Sequence, residues 1–205
     1  MKKNRNRTEI LLIGGSAGSI GVLLNMLPHL DKTLSFPVVI VLHRKAGNEN
    51  TLNTLLEAYS SLPVIEAYDK LAMYPGCVYL APADYHLLFE DKEQIIIDLS
   101  EKINYSRPSI DVTFRSAAHI FRENTTALLL SGANNDGVEG MLSVARYGGI
   151  VLLQDPDTAE VSYMPRQALL NVKADEILKP GNMARFFNQL NTKNGDEQQQ
   201  NNTRI

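Results

Sequence analysis

Three side chains of the types used in nucleophilic catalysis stand where apolar runs of the sequence end. Ser16 is the centre of a Gly-x-Ser-x-Gly pattern at residues 14–18, in which small neighbours allow a tight turn that exposes a hydroxyl. His43 follows a second apolar run, and Asp136 lies in the glycine-flanked loop 132–137. A serine nucleophile, a histidine base and a carboxylate that orients the imidazole are the members of a catalytic triad. We therefore predict that Ser16, His43 and Asp136 form one.

Each of these residues also has a plainer interpretation. A glycine-rich turn before a helix can bind a phosphate, His43 alone could be an ordinary loop residue, and Asp136 alone is more typical of a helix N-cap. The other histidines are weaker candidates, at a helix end, in a β-rich region and within a helix: His29, His86 and His119. Three strand-end loops that bring Ser, His and Asp to one sheet edge favour catalysis over these alternatives.

The surrounding pattern is that of an α/β protein, which brings such loops to one edge. Short, continuously apolar runs predict buried parallel strands at 9–14, 37–42, 127–131 and 150–154. Helical periodicity is found at 20–27, 109–122, 137–147 and 182–190. We therefore predict a doubly wound, mostly parallel sheet with helices on both faces.

The middle of the chain departs from this alternation. Residues 77–81, 86–90 and 94–99 are rich in β-forming side chains, and the last two segments predict an antiparallel hairpin added to the sheet. No internal repeat or linker divides the chain. We expect a basic leader at 1–8, one catalytic domain at 9–190, and a disordered tail of Asn, Gln, Gly and charged residues at 191–205.

The overall composition argues against several functional classes. Of the 205 residues, 44% are hydrophobic and 21% are charged, as in a globular protein with a full core. A formal charge of -3 argues against a nucleic-acid binder with a broad basic surface. The single cysteine, Cys77, excludes an internal disulfide framework and a cysteine-rich zinc site. The apolar run 10–13 is too short for a signal peptide or a membrane span. We expect a cytoplasmic protein with no cofactor, no metal and no membrane insertion.

Taken together, the motifs resemble the catalytic domain of chemotaxis protein-glutamate methylesterases of the CheB type. The segment 13–18 (Ile-Gly-Gly-Ser-Ala-Gly) is similar to the family's serine loop, and 130–137 (Leu-Ser-Gly-Ala-Asn-Asn-Asp-Gly) is similar to its aspartate loop. His43 matches the family's histidine. Further matches follow in order at 75–82, 107–112 and 164–166, so the resemblance extends from about residue 10 to residue 180.

This resemblance implies a serine hydrolase that cleaves γ-glutamyl methyl esters on the helical cytoplasmic region of methylated chemoreceptors and releases methanol. Family members can also deamidate certain receptor glutamines. By position, the resemblance assigns the nucleophile to Ser16, the general base and then acid to His43, and the orienting carboxylate to Asp136. It makes Ala17 and Ala133 the candidates for the oxyanion hole and the cleft, through backbone N–H groups.

The family usually carries an N-terminal receiver domain that covers the cleft. Because the first strand is predicted near residue 9, we expect no such domain in this chain. The cleft is then expected to be open, and control is expected to come from a separate regulatory protein, from localisation or from substrate supply.

Other functions compete with this one. Ala17, Ala133 and Asn134 differ from the residues common in the family, which slightly favours a non-catalytic signalling or scaffold module with the same fold. Arg44 and Lys45 also depart from the family pattern, since small or apolar residues commonly follow its histidine. A nucleotide-binding, flavodoxin-like domain is disfavoured because the glycines do not match Gly-x-Gly-x-x-Gly. The order Ser, His, Asp disfavours an ordinary α/β-hydrolase, in which the histidine comes last.

Overall fold

The structure, a computed structural model, describes residues 7–44 and 49–202. Within them the strands are β1 Ile10–Gly15, β2 Val38–Leu42, β3 Val64–Glu66, β4 Val78–Leu80, β5 His86–Phe89, β6 Ile95–Asp98, β7 Thr125–Leu129, β8 Ile150–Gln154 and β9 Glu176–Leu178. The α-helices are α1 Ser19–Met26, α2 Glu49–Tyr59, α3 Ile110–Phe121, α4 Val138–Arg146, α5 Tyr163–Asn171 and α6 Pro180–Asn202.

The larger sheet is parallel and has the order β3-β4-β2-β1-β7-β8-β9. The chain passes from β1 to β2 on one side and from β7 to β8 on the other, so the winding direction reverses between β1 and β7. Such a reversal opens a crevice at the carboxyl ends of the strands, which is where α/β proteins bind their ligands. The three loops predicted to carry chemistry follow β1, β2 and β7.

Both faces of the sheet are covered by helices, as predicted. The side chains of β1 alternate between two cores: Ile10 and Leu12 pack with α3, α4 and α5, whereas Leu11 and Ile13 pack with α1 and α6. All four are fully buried. This burial on both faces explains why the strand is a continuous apolar run.

The predicted antiparallel hairpin is confirmed as β5 and β6, but these strands form a two-stranded sheet of their own, whereas we expected them to be added to the larger sheet. Its apolar side packs on α3, where the rings of Phe89 and Phe121 meet edge to face with centroids 5.6 Å apart. The segment 77–81, which we grouped with this region, instead contributes β4 to the larger sheet, parallel to β2.

Four elements escaped the sequence patterns, namely α2, α5 and the short strands β3 and β9. The strands have three residues each, and β9 has two exposed positions, so neither shows a usable period. Helix α6 also continues to Asn202, whereas we expected it to end at residue 190 before a disordered tail. No proline interrupts the tail, and its Gln, Glu and Lys residues favour continuing an existing helix. Residues 1–6 of the predicted leader and 203–205 of the tail lie outside the described residues.

Candidate active site

Ser16 follows the last residue of β1, and its backbone is held from two sides. Its N–H donates to the carbonyl of Ser131 at 2.9 Å and to the hydroxyl of Ser19 at 3.0 Å. The Ser19 hydroxyl donates in turn to the same Ser131 carbonyl at 2.8 Å. A Cβ at Gly15 would collide with the Ser19 side chain, so this position requires glycine. The Ser16 N–H is therefore already engaged, while the residue itself is only partly buried.

Gly18 completes the turn and begins helix α1. It adopts φ +79°, the left-handed conformation that glycine tolerates and most residues do not. A Cβ there would lie 2.6 Å from Cβ of Glu160 and 2.8 Å from the Ser131 hydroxyl. The loop therefore brings the positive end of α1 close to Ser16, with the side chain of Glu160 packed beside it.

His43 lies next to Ser16 across two neighbouring strands. Gly15 pairs with Leu42 in the parallel register, and the His43 N–H donates to the Gly15 carbonyl at 3.2 Å. Ser16 and His43 are thus the next residues along strands about 4.8 Å apart. Among the described contacts the Ser16 hydroxyl makes no hydrogen bond to the His43 ring. Catalytic hydrogen bonds are often long in unliganded enzymes and shorten when substrate binds.

The structure brings His43 and Asp136 together directly. His43 Nε2 lies 2.6 Å from Asp136 Oδ2, with the imidazole 14% exposed and the carboxylate fully buried. In the serine-protease arrangement the carboxylate contacts Nδ1 instead. Here the contact with Asp136 occupies Nε2, so Nδ1 is the ring nitrogen that remains to act as a base, a detail that residue types and spacing did not reveal.

Asp136 does not cap the helix that follows it, so the N-cap alternative for α4 is wrong. Helix α4 begins after Gly137 without a side-chain cap. Instead the Asp136 carboxylate accepts hydrogen bonds from the start of α3: the Ser109 hydroxyl at 2.8 Å, the Ile110 N–H at 2.8 Å and the Asp111 N–H at 3.0 Å. Burial opposes ionisation of Asp136, but the hydrogen bonds from His43 and from these backbone groups outweigh it and lower its pKa. Asp136 is therefore an anion aimed at His43.

Asp111, which the sequence analysis did not single out, makes the reciprocal contact. Its Oδ1 accepts the N–H groups of Gly137 and Gly140 at 2.8 Å each, at the start of α4. Each of the two helices thus begins against a carboxylate that belongs to the other segment. Burial, together with the nearby negative charge of Asp136, raises the pKa of Asp111 to about 6. No local sequence signal distinguishes this residue from an ordinary acid in a first helical turn.

Comparison with known proteins assigns this arrangement to a family. The model of the family described as CheB methylesterase matches residues 11–187. The chain belongs to the CheB methylesterase family. Its members are carboxylic ester hydrolases, in agreement with a serine, a histidine and an aspartate at one sheet edge.

Individual relatives support the same assignment. A Leptospira interrogans protein, provisionally named a protein-glutamate methylesterase/protein-glutamine glutaminase, is 36% identical over 186 residues, which are 91% of this chain and 96% of that protein. The enzyme of that name from Thermotoga maritima is 37% identical over 173 residues, 83% of this chain but only 50% of the enzyme. The crystal structure of the T. maritima CheB methylesterase catalytic domain superposes with a TM-score of 0.86 at 34% identity, covering 90% of this chain and all of that domain.

Three positions near the site of this CheB-family chain differ from the residues common in the family, namely Ala17, Ala133 and Asn134. Ala17 and Ala133 are exposed, and neither N–H finds an acceptor among the described residues. The Ser131 hydroxyl lies 2.7 Å from the Ala17 carbonyl and so links the two loops. Asn134 does not adopt a left-handed conformation, and its side-chain oxygen accepts the Asp136 N–H at 3.1 Å. The substitution to Asn therefore supports the aspartate loop.

A cleft of about 510 Å³ opens beside His43. Its wall includes Arg44, Lys102, Arg107 and Tyr105, the last of which is 99% exposed. The Arg44 guanidinium donates to the Glu66 carboxylate at 2.5 Å and to the Ala81 carbonyl at 3.1 Å. These two contacts hold Arg44, a departure from the family pattern, in the wall of the cleft. Lys45 lies outside the described residues.

None of the other histidines makes a hydrogen bond to Ser16 or Asp136 within the described part of the chain. His29 ends a short 3₁₀ turn after α1, and His119 contacts the hydroxyl of Tyr147 at 3.2 Å on the surface of α3. His86 is fully buried behind the start of α3. In the described ranges 7–44 and 49–202, no three His, Cys, Asp or Glu side chains cluster as a metal site would require, and no helix is long and apolar enough to cross a membrane.

Proposed function

We propose that this chain is a protein-glutamate methylesterase that hydrolyses γ-glutamyl methyl esters on chemoreceptor-type signalling proteins, with Ser16, His43 and Asp136 as its triad. The observation that carries the proposal is the 2.6 Å bond between His43 Nε2 and a buried, ionised Asp136. His43 in turn lies one strand away from Ser16. An imidazole held by a buried carboxylate at a sheet edge can act as the general base for the neighbouring serine hydroxyl.

In the first step the Ser16 oxygen attacks the ester carbonyl carbon while His43 Nδ1 takes the hydroxyl proton. The Asp136 carboxylate stabilises the imidazolium that forms, and the carbonyl oxygen becomes an oxyanion. The N–H groups of Ala17 and Ala133 are the candidate donors to that oxyanion, reinforced by the positive end of α1. The tetrahedral intermediate then expels methoxide, which takes the proton from His43 and leaves as methanol.

The second step reverses these roles. A water molecule loses a proton to His43 Nδ1 and attacks the acyl-serine, and the new intermediate expels the Ser16 oxygen, which recovers its proton from His43. The product is a glutamate carboxylate. A glutamine side chain would follow the same route with ammonia as the leaving group, which accounts for a glutaminase activity at the same site.

The test is methanol release from a methylated chemoreceptor by the purified protein. We expect activity in the unaltered chain and a loss of about 10⁴-fold or more in Ser16→Ala. Ser143→Ala is the matched control, because Ser143 is a partly buried serine of α4 whose hydroxyl donates to the helix carbonyl of Glu139. A folded protein that binds the receptor and releases no methanol would support the scaffold alternative, and equal activity in Ser16→Ala would exclude the triad.

A further inference from the structure

Ser109 is the N-cap of α3 and lies directly behind the catalytic carboxylate. It is fully buried, its hydroxyl is 2.8 Å from Asp136 Oδ1, and the same oxygen accepts the Val112 N–H at 3.4 Å. Because Asp136 is ionised and has no hydrogen to give, the single hydroxyl hydrogen of Ser109 points at the carboxylate. The direction of this hydrogen bond is therefore fixed.

The two oxygens of Asp136 have different tasks. Oδ2 faces His43 and the Ile110 N–H, whereas Oδ1 is held by the Ser109 hydroxyl and the Asp111 N–H. Rotation of the carboxylate would break the bonds to Oδ1 as well as the bond to His43. Donors on the far oxygen thus fix the plane in which the near oxygen meets the imidazole.

His86 holds Ser109 from behind. This imidazole is fully buried on β5, its Nδ1 accepts the Ser109 N–H at 3.2 Å, and its Nε2 lies 3.1 Å from the Glu101 carbonyl. The Ser109 N–H requires an unprotonated Nδ1, and the carbonyl requires a hydrogen on Nε2, so one neutral tautomer satisfies both. The ring therefore joins β5 and the segment after β6 to the start of α3.

We propose that Ser109 and His86 are positioning residues of the triad: His86 orients Ser109, and Ser109 orients the carboxylate of Asp136 against His43. The inference rests on the proposed esterase function. Neither residue touches the substrate. Their effect should therefore appear in the rate of the chemical steps and not in substrate binding.

The first experiment compares Ser109→Ala with Thr113→Val in the hydrolysis of p-nitrophenyl acetate and of a methylated receptor. Thr113 is the matched control, since it is a buried hydroxyl on the same helix that donates to the Leu87 carbonyl at 2.8 Å. We expect Ser109→Ala to lower kcat by about 10- to 100-fold, as the loss of a hydrogen bond to a charged group implies, with KM within about twofold. Thr113→Val should lower the unfolding midpoint and leave kcat within about twofold.

A second pair of variants tests His86. The side-chain oxygen of asparagine can accept the Ser109 N–H, so His86→Asn should retain more of kcat than His86→Leu, which offers no acceptor. A third readout is independent of turnover: the downfield NMR resonance of the His43 Nε2 hydrogen, assigned by its absence in His43→Gln, should move in Ser109→Ala and stay in place in Thr113→Val.

The outcomes separate this inference from the proposed function. If Ser16→Ala retains hydrolysis, the proposed function fails. If Ser16→Ala is inactive but Ser109→Ala loses no more kcat than Thr113→Val, or leaves the His43 resonance unmoved, the positioning role is overturned while the triad stands.

Discussion

Replacing Asp111 by asparagine should stabilise the protein at neutral pH, although it removes a charge that binds two helix N–H groups. Asp111 is 3% exposed, and burial followed by the charge of Asp136 raises its pKa to about 6 from an ordinary 3.8. The asparagine amide has the shape of a protonated carboxyl. It also keeps one oxygen for the N–H groups of Gly137 and Gly140, which share Oδ1 in the native protein.

The sign follows from proton linkage. The folded pKa lies above the unfolded one, so the folded protein holds this proton more tightly. The stability that the group contributes is complete below pH 3.8, falls as the pH rises to about 6, and stays lost above that. At about 1.4 kcal/mol per pKa unit the full shift is worth at most ~3 kcal/mol. Relaxation of the folded protein around the charge lowers this value, and we expect Asp111→Asn to be on the order of 1–3 kcal/mol more stable at pH 7.5.

The assay is urea unfolding of both proteins at about pH 4 and pH 7.5. The two midpoints should nearly coincide at the lower pH and separate at the higher one, with the melting temperature of Asp111→Asn raised by about 2–4 °C per kcal/mol. Asp155→Asn is the control, because Asp155 also accepts a backbone N–H at the start of a helical turn but is only partly buried. A stability difference that is the same at both pH values, or a less stable Asp111→Asn at pH 7.5, would refute the reasoning.

Two other predictions concern negatively charged side chains of the site, Asp136 and Glu160. Asp136→Asn should lower kcat by about 10³- to 10⁴-fold while the protein stays folded, because an amide cannot stabilise the His43 imidazolium. Steady-state kinetics would measure the loss of kcat, and circular dichroism would show that the variant is folded. A loss of kcat below tenfold would mean that the carboxylate only holds the start of α3. Glu160→Gln should raise kcat about two- to fivefold. The Glu160 carboxylate lies beside Gly18, with its Cδ 3.2 Å from the position that a Cβ on Gly18 would occupy. Its negative charge therefore opposes an oxyanion at the start of α1. Glu139→Gln, at an exposed position of α4, is its control. An equal or lower kcat in Glu160→Gln would contradict the electrostatic argument.

The residue pattern was sufficient to predict the central strands of the fold and the three loops of the site. The strands β1, β2, β7 and β8 are buried on both faces, so each is an apolar run that can be recognised without knowing its neighbours. The edge strands β3 and β9 are short and partly exposed, and they exist only because β4 and β8 offer them hydrogen-bonding partners. Their formation is decided by tertiary contact, which local pattern does not carry.

The same division applies to the site. Ser16, His43 and Asp136 follow recognisable strands, so their convergence could be predicted from topology. Ser109 and Asp111 act on a loop some 25 residues further along the chain, and their role depends on how α3 meets α4. From the sequence alone, a serine before a helix and an aspartate in its first turn are ordinary helix-start signals.

The exchange of carboxylates between α3 and α4 has a consequence for how the active centre comes apart. If the start of α3 frays, Asp136 loses the backbone donors that, together with His43, keep it ionised; if the start of α4 frays, Asp111 is left buried without the N–H groups of Gly137 and Gly140. Neither helix end can open alone at low cost, so the two should melt as one cooperative unit. The sheet, with Ser16 and His43 at its edge, does not depend on that unit for its strand pairing. Partial denaturation would therefore leave a protein with its β-structure intact and its acid–base pair dismantled, and catalytic activity would be lost before most of the fold.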